Sequence, residues 1–178
     1  MKKILILVVF VMFSACAKPT SNQITIPKNS HLTIAADTVG LTESKDYRKL
    51  KTLIGFDPRY TEWCAGYVNT ILELSEHDSL NTLGNRNPLL ARSFLSYGIP
   101  TSYPTTGDIV IFKRGNSGWQ GHVGFYIKTD IIDGREYFLV LGGNQGDEVS
   151  YEYFPTSKLL GIRKLVHPER FELPTYPL

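Results

Sequence analysis

Cys64 is the residue whose type and position best suit nucleophilic catalysis in this 178-residue sequence. It lies near the start of TEWCAGYVNTILEL, residues 61–74, where apolar side chains recur at helical spacing and Thr61 is the predicted N-cap. Backbone N–H groups and the helix dipole in a first turn lower the pKa of a thiol, and the same groups can stabilise an oxyanion. Because free cysteines are often simply buried, a small core residue is the alternative unless a base lies nearby.

His122 is the candidate base, in the predicted strand GHVGFYI. The strand period places three apolar side chains on the core face: Val123, Phe125 and Ile127. The imidazole then lies on the opposite face, where we expect the flanking Gly121 and Gly124 to leave room for a substrate chain. A structural histidine is the alternative.

The third catalytic position requires a group that orients the imidazole through its second nitrogen. The sequence GGNQ at residues 142–145 ends the strand predicted to pair with the histidine strand. Simple pairing around a two-residue turn at Asp133 and Gly134 places Gln145 opposite His122. A one-residue bulge, which the glycines could accommodate, would bring Asn144 there instead, so the register leaves both amides open.

Helical patterns precede strand patterns along the chain. One or two short helices are predicted between residues 33 and 54, followed by helices over 61–74 and 88–97. Predicted strands then cover residues 108–112, 122–128, 136–141, 149–154 and 161–166. This order predicts an α+β domain in which N-terminal helices, one carrying the nucleophile, pack on an antiparallel sheet of about four to six strands.

Four short motifs in this order resemble the NlpC-type and CHAP-like cysteine peptidases and amidases. They are WCA at residues 63–65, GDIVIF at 107–112, GHVG at 121–124 and GNQ at 143–145. The resemblance implies a reduced papain-like fold. It also implies Cys64 as nucleophile, His122 as base and Asn144 as the orienting residue, whereas Asp108 matches a turn position and is expected to be structural. Several NlpC-type enzymes have histidine as the third residue, so an amide here is closer to CHAP-like usage.

Two tryptophans are candidate substrate-binding residues. Trp119 lies in the glycine-rich loop KRGNSGWQG at residues 113–121, directly before the histidine. It could form a wall of the cleft that stacks on sugar or covers a peptide, or it could pack on the domain. Trp63, next to the nucleophile, is expected in the core or at the floor of the cleft.

The N-terminus is typical of an exported protein. A basic start, an apolar run and small residues predict a signal peptide over residues 1–15. The sequence FSAC resembles a bacterial lipobox, which implies lipidation of Cys16. The alternative is cleavage at ACA, residues 15–17, which would give a soluble periplasmic or secreted protein. Residues 16–32 are the predicted tether, 33–166 the catalytic domain, and 167–178 an unassigned tail.

Charge and motif content exclude several function classes. The formal charge of +2 comes from Lys2 and Lys3, and the remaining 17 basic residues balance 17 acidic ones, which argues against a nucleic-acid partner. No metal-ligand spacing and no phosphate-binding glycine loop occurs, so we expect neither metal nor cofactor. Either fate of Cys16 leaves Cys64 unpaired in an oxidising compartment, which favours a used or buried thiol.

The family resemblance therefore implies an enzyme that hydrolyses an amide bond in peptidoglycan, and the lipobox-like N-terminus implies a membrane-anchored lipoprotein of the cell envelope. The bond could lie within the stem peptide or join the peptide to muramic acid. Two alternatives remain at this stage: a non-catalytic wall-binding lipoprotein of the same fold, and an acyltransferase.

Overall fold

The computed structural model describes residues 30–165. The predicted signal peptide, Cys16, most of the tether and the tail lie outside these residues. The described chain contains three α-helices: α1 His31–Ala36, α2 Glu43–Ile54 and α3 Cys64–Leu74. It also contains six strands: β1 Ile99–Thr101, β2 Ile109–Lys113, β3 Gly121–Ile132, β4 Arg135–Gly142, β5 Ser150–Pro155 and β6 Leu159–Lys164. Short 3₁₀ turns cover Pro58–Tyr60, Ala91–Ser96 and Thr156–Lys158.

The strands form one antiparallel sheet in the order β1-β6-β2-β3-β4-β5. The predicted α+β class, with helices before an antiparallel sheet, is confirmed. The hairpin at Asp133 and Gly134 is also confirmed, and both turn residues have positive φ (49° and 73°), as a two-residue hairpin of this kind requires. Strand β1 has three residues and was not predicted.

The predicted helix over residues 88–97 is wrong. The chain is extended at Leu90 and forms only a 3₁₀ segment from Ala91 to Ser96. The reason lies in α3, where the buried Asn69 side chain donates to the Pro88 carbonyl (2.8 Å) and accepts from the Leu80 amide (2.9 Å). These bonds hold the long loop after α3 against the helix, and Pro88 lies in a single isolated turn closed by the Leu90 N–H and the Asn87 carbonyl (3.1 Å).

Both faces of the sheet are covered. Helix α3 packs on one face, where the core includes Tyr67, Val68, Ile71, Ile109, Ile111, Val123, Phe125 and Leu141. The other face has a smaller cluster: Val110, Phe112, Tyr126, Phe138, Val140 and Ile162. The four apolar residues of β2 are consequently all buried, and the predicted core face of β3 is confirmed. Each such apolar side chain contributes about 1.5–3 kcal/mol by burial.

The domain begins earlier than the sequence predicted. His31, assigned to the tether, starts α1, and its Nε2–H donates to the Gly107 carbonyl (2.9 Å). The ring lies against Phe125, with the ring centroids 5.0 Å apart. Burial lowers the pKa of His31 from 6.5 to about 4, so the imidazole is neutral in the folded chain.

Candidate active site

Cys64 is the first residue of α3. The residue before it, Trp63, is the N-cap and provides no side-chain hydrogen bond, so the first amides of the helix keep no intrahelical acceptor. Thr61 is extended rather than the predicted cap, which moves the helix start from residue 61 to Cys64. The predicted position of Cys64 in the first turn is confirmed.

The sulfur of Cys64 lies against the backbone of β3. On the side of β3 that faces β2, the Tyr126 N–H donates to the Asp108 carbonyl (2.7 Å), and the Tyr126 carbonyl accepts from the Gly107 N–H (2.8 Å). Because N–H directions alternate along a strand, the Val123 N–H points the other way, towards β4. Pairing with β4 ends at Phe125, so the Val123 N–H is outside the ladder, where it acts to lower the pKa of the Cys64 thiol. The thiol thus lies near the amide of the residue that follows His122 in the chain.

Burial controls the acidity of the thiol. Cys64 is 3% exposed, and desolvation raises its pKa although the amides of Val123 and Ala65 act in the opposite direction. The expectation of a lowered thiol pKa is therefore wrong for this closed arrangement. The helix start supplies donors, but two amide contacts do not offset the loss of water around a thiolate.

This acidity predicts slow alkylation of Cys64 at pH 6. A raised pKa keeps the thiol protonated, so the rate with iodoacetamide should increase steadily as the pH rises from 6 towards and beyond the ordinary thiol value of 9.0. Mass spectrometry of the labelled peptide measures the rate, and the chain unfolded in urea provides the reference. A rate at pH 6 faster than that of the unfolded chain would contradict the raised pKa.

His122 is oriented by Gln145. The His122 Nε2 and Gln145 Oε1 atoms are 3.0 Å apart, and the imidazole stacks on Phe154 with ring centroids 4.7 Å apart. The Gln145 Nε2 donates to the carbonyls of Ser150 (2.6 Å) and Val140 (3.3 Å), which fixes the amide orientation. Its Oε1 must then accept, so His122 carries the proton on Nε2 and keeps Nδ1 as the basic nitrogen. Desolvation lowers the pKa of His122 from 6.5 to about 4.

Asn144, the residue that the resemblance implied for this role, lies elsewhere. Its Nδ2 donates to Glu62 Oε2 (2.8 Å), not to His122. The expected bulge exists, but it falls in β3 between Tyr126 and Lys128 rather than at the glycines. Strand β4 ends at Gly142, and Asn144 adopts a positive φ of 59°, which turns its side chain away and brings Gln145 to the imidazole.

The two buried histidines predict a loss of stability in acid. Both pKa values fall from 6.5 to about 4, so the unfolded chain binds more protons below pH 6.5. The stabilisation is complete above pH 6.5 and is lost as the pH falls towards 4, at up to about 1.4 kcal/mol per pH unit for each histidine.

Urea unfolding at pH 7, 6 and 5 measures this slope. In the variant His31→Gln, the slope of the unfolding free energy against pH should be smaller by the contribution of one histidine, whatever the absolute stability of the variant. An unfolding free energy that does not change between pH 7 and pH 5 would contradict the neutral state of the two imidazoles.

Two adjacent cavities flank the candidate pair. One of about 270 Å³ is lined by Cys64 and by apolar groups that include Leu89, Leu90 and Trp119. The other, of about 230 Å³, is lined by His122 and Phe154. Arg114 belongs to both walls. Cys64 and His122 thus face neighbouring spaces, although no hydrogen bond joins the sulfur to the imidazole among the described residues.

The two predicted substrate-binding tryptophans have different positions. Trp119 is 60% exposed and lines the Cys64 cavity, so it is available to a ligand. Trp63 is fully buried and donates from Nε1 to Glu43 (3.1 Å), so it belongs to the core and is not available to a ligand. Asp108 caps its own turn by accepting from Thr105, as expected of a structural residue.

The glycine beside the histidine serves packing rather than substrate. A Cβ at Gly124 would come within 2.5 Å of Val140 Cγ1 and 2.9 Å of the Leu141 carbonyl. The expected space for a substrate chain is therefore filled by β4 at this position. Open space is found beside the other flanking glycine, Gly121, in the wall of the Cys64 cavity, and beside Arg114 and Gly115, which line both cavities.

Glu62 connects the walls of the two cavities and was not singled out by the sequence. Its Oε2 accepts from Arg114 Nη1 (2.9 Å) and from Asn144 Nδ2 (2.8 Å). The only available signal was its place two residues before Cys64. The ion pair is exposed, at 51% for Arg114 and 72% for Glu62, so it contributes only about 0–1 kcal/mol.

Residues 30–165 contain no group of three or more His, Cys, Asp or Glu side chains that could hold a metal ion. Over the same residues, no helix combines the length and apolar character needed to cross a membrane. No protein-family model matches the chain, and no curated protein matches it significantly.

Proposed function

We propose that this chain is a cysteine hydrolase with a reduced papain-like fold that cleaves an amide bond in peptidoglycan. The observation that carries the proposal is that α3 and the segment after β4 contact two adjacent residues of β3, Val123 and His122. The start of α3 brings the Cys64 sulfur to the Val123 amide, and Gln145 holds the neighbouring His122 with Nδ1 unprotonated. A thiol, an imidazole base and an orienting amide are the groups of cysteine-dependent acyl transfer.

In the proposed mechanism, His122 Nδ1 takes the thiol proton as the Cys64 sulfur attacks the substrate carbonyl. Amides at the start of α3, which have no acceptor within the helix, donate to the developing oxyanion. The C–N bond then breaks, His122 returns the proton to the leaving amine, and a thioester remains on Cys64. Water, deprotonated by His122, hydrolyses the thioester and restores the thiol.

The resting pair is neutral, so proton transfer from Cys64 to His122 is uphill and has to be coupled to attack on the substrate carbonyl. With the pKa of Cys64 raised and that of His122 at about 4, the thiol and the free imidazole are both in the form that begins general-base attack. The described residues show no sulfur–imidazole hydrogen bond, so the proposed proton transfer requires the two groups to approach one another when substrate binds.

The substrate class and the location rest on the resemblance and on the N-terminal sequence. A lipid anchor at Cys16 would hold the enzyme at the membrane, facing the cell wall. Digestion of purified sacculi by the protein tests the activity, and product masses identify the bond. New amine or peptide ends are expected with the wild-type chain and not with Cys64→Ala.

A non-catalytic wall-binding protein is the second candidate. The observation that favours it is the closed site, in which Cys64 and His122 are each 3% exposed and not hydrogen-bonded to one another. It predicts that sacculi retain the protein but release no fragments, and that Cys64→Ala binds them as well as the wild-type chain does.

A further inference from the structure

The cavity on the His122 side has an excess of positive charge. Lys113, Arg114 and Lys158 line it, and Glu152 is the one acidic side chain in its wall. Among residues 30–165, no ion pair involves Lys113, Lys158 or Glu152. Two cationic side chains therefore face this cavity with no carboxylate partner from the described chain.

The mechanism determines which part of a substrate occupies this cavity. His122 returns its proton to the leaving amine, so the amine half of the substrate must lie beside the imidazole. The acyl half stays on the Cys64 sulfur, beside the more apolar cavity with Leu89, Leu90 and Trp119. The positive charge thus faces the amine half.

The chain itself demonstrates that the border of this cavity binds a carboxylate. Glu62 Oε2 accepts from both Arg114 and Asn144, and these two donors also line the His122 cavity. Because the Glu62–Arg114 pair is exposed, its bond is weak enough to be exchanged for one to a ligand. The guanidinium has five N–H donors, so it can also donate to a second carboxylate while Glu62 stays bound.

We propose that the His122 cavity binds a carboxylate carried by the amine half of the substrate, with Lys113, Lys158 and Arg114 as its cationic partners. This inference rests on the proposed function for the assignment of the two halves. The substrate class is an amide whose leaving group is an amino acid or a peptide with a free carboxylate close to the scissile nitrogen. The cavity volume of about 230 Å³ suits one such residue rather than a larger group.

The test uses two peptides that are identical up to the scissile amide. In one, the amine half carries a carboxylate, and in the other it carries a carboxamide. Binding of both to Cys64→Ala is measured by calorimetry at low and high salt, and their hydrolysis by the wild-type chain is measured in parallel. We expect the carboxylate peptide to bind roughly tenfold tighter at low salt and to lose most of this advantage at high salt.

Variants test which side chains cause the preference for the carboxylate peptide. In the Cys64→Ala background, Lys113→Gln with Lys158→Gln should bring the binding ratio of the two peptides close to one. Glu152→Gln removes a negative charge from the cavity wall, so it should increase the ratio of carboxylate-peptide affinity to carboxamide-peptide affinity. The matched control is Lys45→Gln, an exposed lysine on α2, which should leave the ratio unchanged.

The outcomes separate this inference from the proposed function. Equal binding of the two peptides to Cys64→Ala, or binding of neither, would overturn the carboxylate site even if the wild-type chain hydrolyses both. A binding preference that disappears in the double lysine variant supports the site, and it does so even if the wild-type chain hydrolyses neither peptide, which would count against the proposed function alone. A preference that survives in the double variant would also overturn the site.

Discussion

Cys64→Ala is expected to lower hydrolysis of peptidoglycan by about 10⁴-fold or more, because no other described side chain at the site can form the thioester. The thiol is buried but small, so the free energy of unfolding should change by only about 1 kcal/mol. The measurement is product release from sacculi by wild-type and variant chains at equal concentration, with urea unfolding of both.

The second measurement excludes an indirect effect. If Cys64→Ala unfolds like the wild-type chain and yet releases no fragments, the loss is chemical. Full hydrolysis by Cys64→Ala would contradict the role of the thiol and would require a different nucleophile.

Gln145→Ala is expected to lower kcat on the order of 10- to 10³-fold with KM nearly unchanged. The side chain holds His122 Nε2 at 3.0 Å and so keeps Nδ1 as the base. Without it the imidazole can rotate or change tautomer, although the thiol and imidazole can still react. Steady-state kinetics on a soluble peptide substrate give the two parameters separately.

Asn144→Ala is the comparison for this variant. Its side chain bonds to Glu62 rather than to His122, so we expect a clearly smaller loss of kcat. The reverse order, with Asn144→Ala the more damaging, would support the assignment that the resemblance implied. It would show that the side chains rearrange when substrate binds.

The parts of the site that follow from local pattern were predictable. Helical spacing placed Cys64 in a first turn, and strand alternation placed Val123 and Phe125 in the core, with His122 on the other face. The hairpin at Asp133 followed from turn chemistry alone. Each of these depends on neighbours within a few residues, which a sequence pattern records directly.

The parts that depend on distant contacts were not predictable. The position of the bulge in β3 and the positive φ of Asn144 decide which amide reaches His122, and no local pattern fixes either. The bond between His31 and Gly107 joins residues 76 positions apart, so the start of the domain could not be read from a polar segment. The ion pair between Glu62 and Arg114 joins residues 52 positions apart, so it could not be predicted from the sequence pattern either.

The pKa of the Cys64 thiol was also predicted wrongly from the local sequence pattern. A helix start predicts a lowered thiol pKa, but the sheet and the covering loops remove water from Cys64, and the net shift is upward. The degree of burial is a property of the whole fold. It replaces the expected thiolate with a protonated thiol, and it keeps the His122 imidazole neutral.

The most direct test of the central claim is the mass of the protein during turnover. The wild-type chain is mixed with a peptide substrate, quenched in acid within the first turnovers and analysed by mass spectrometry. The proposed function predicts an added mass equal to the acyl half of the substrate, located on the peptide that contains Cys64 and removed by hydroxylamine. Product formation with no such adduct at any quench time, together with unimpaired turnover after Cys64 has been fully alkylated, would contradict Cys64 as the nucleophile.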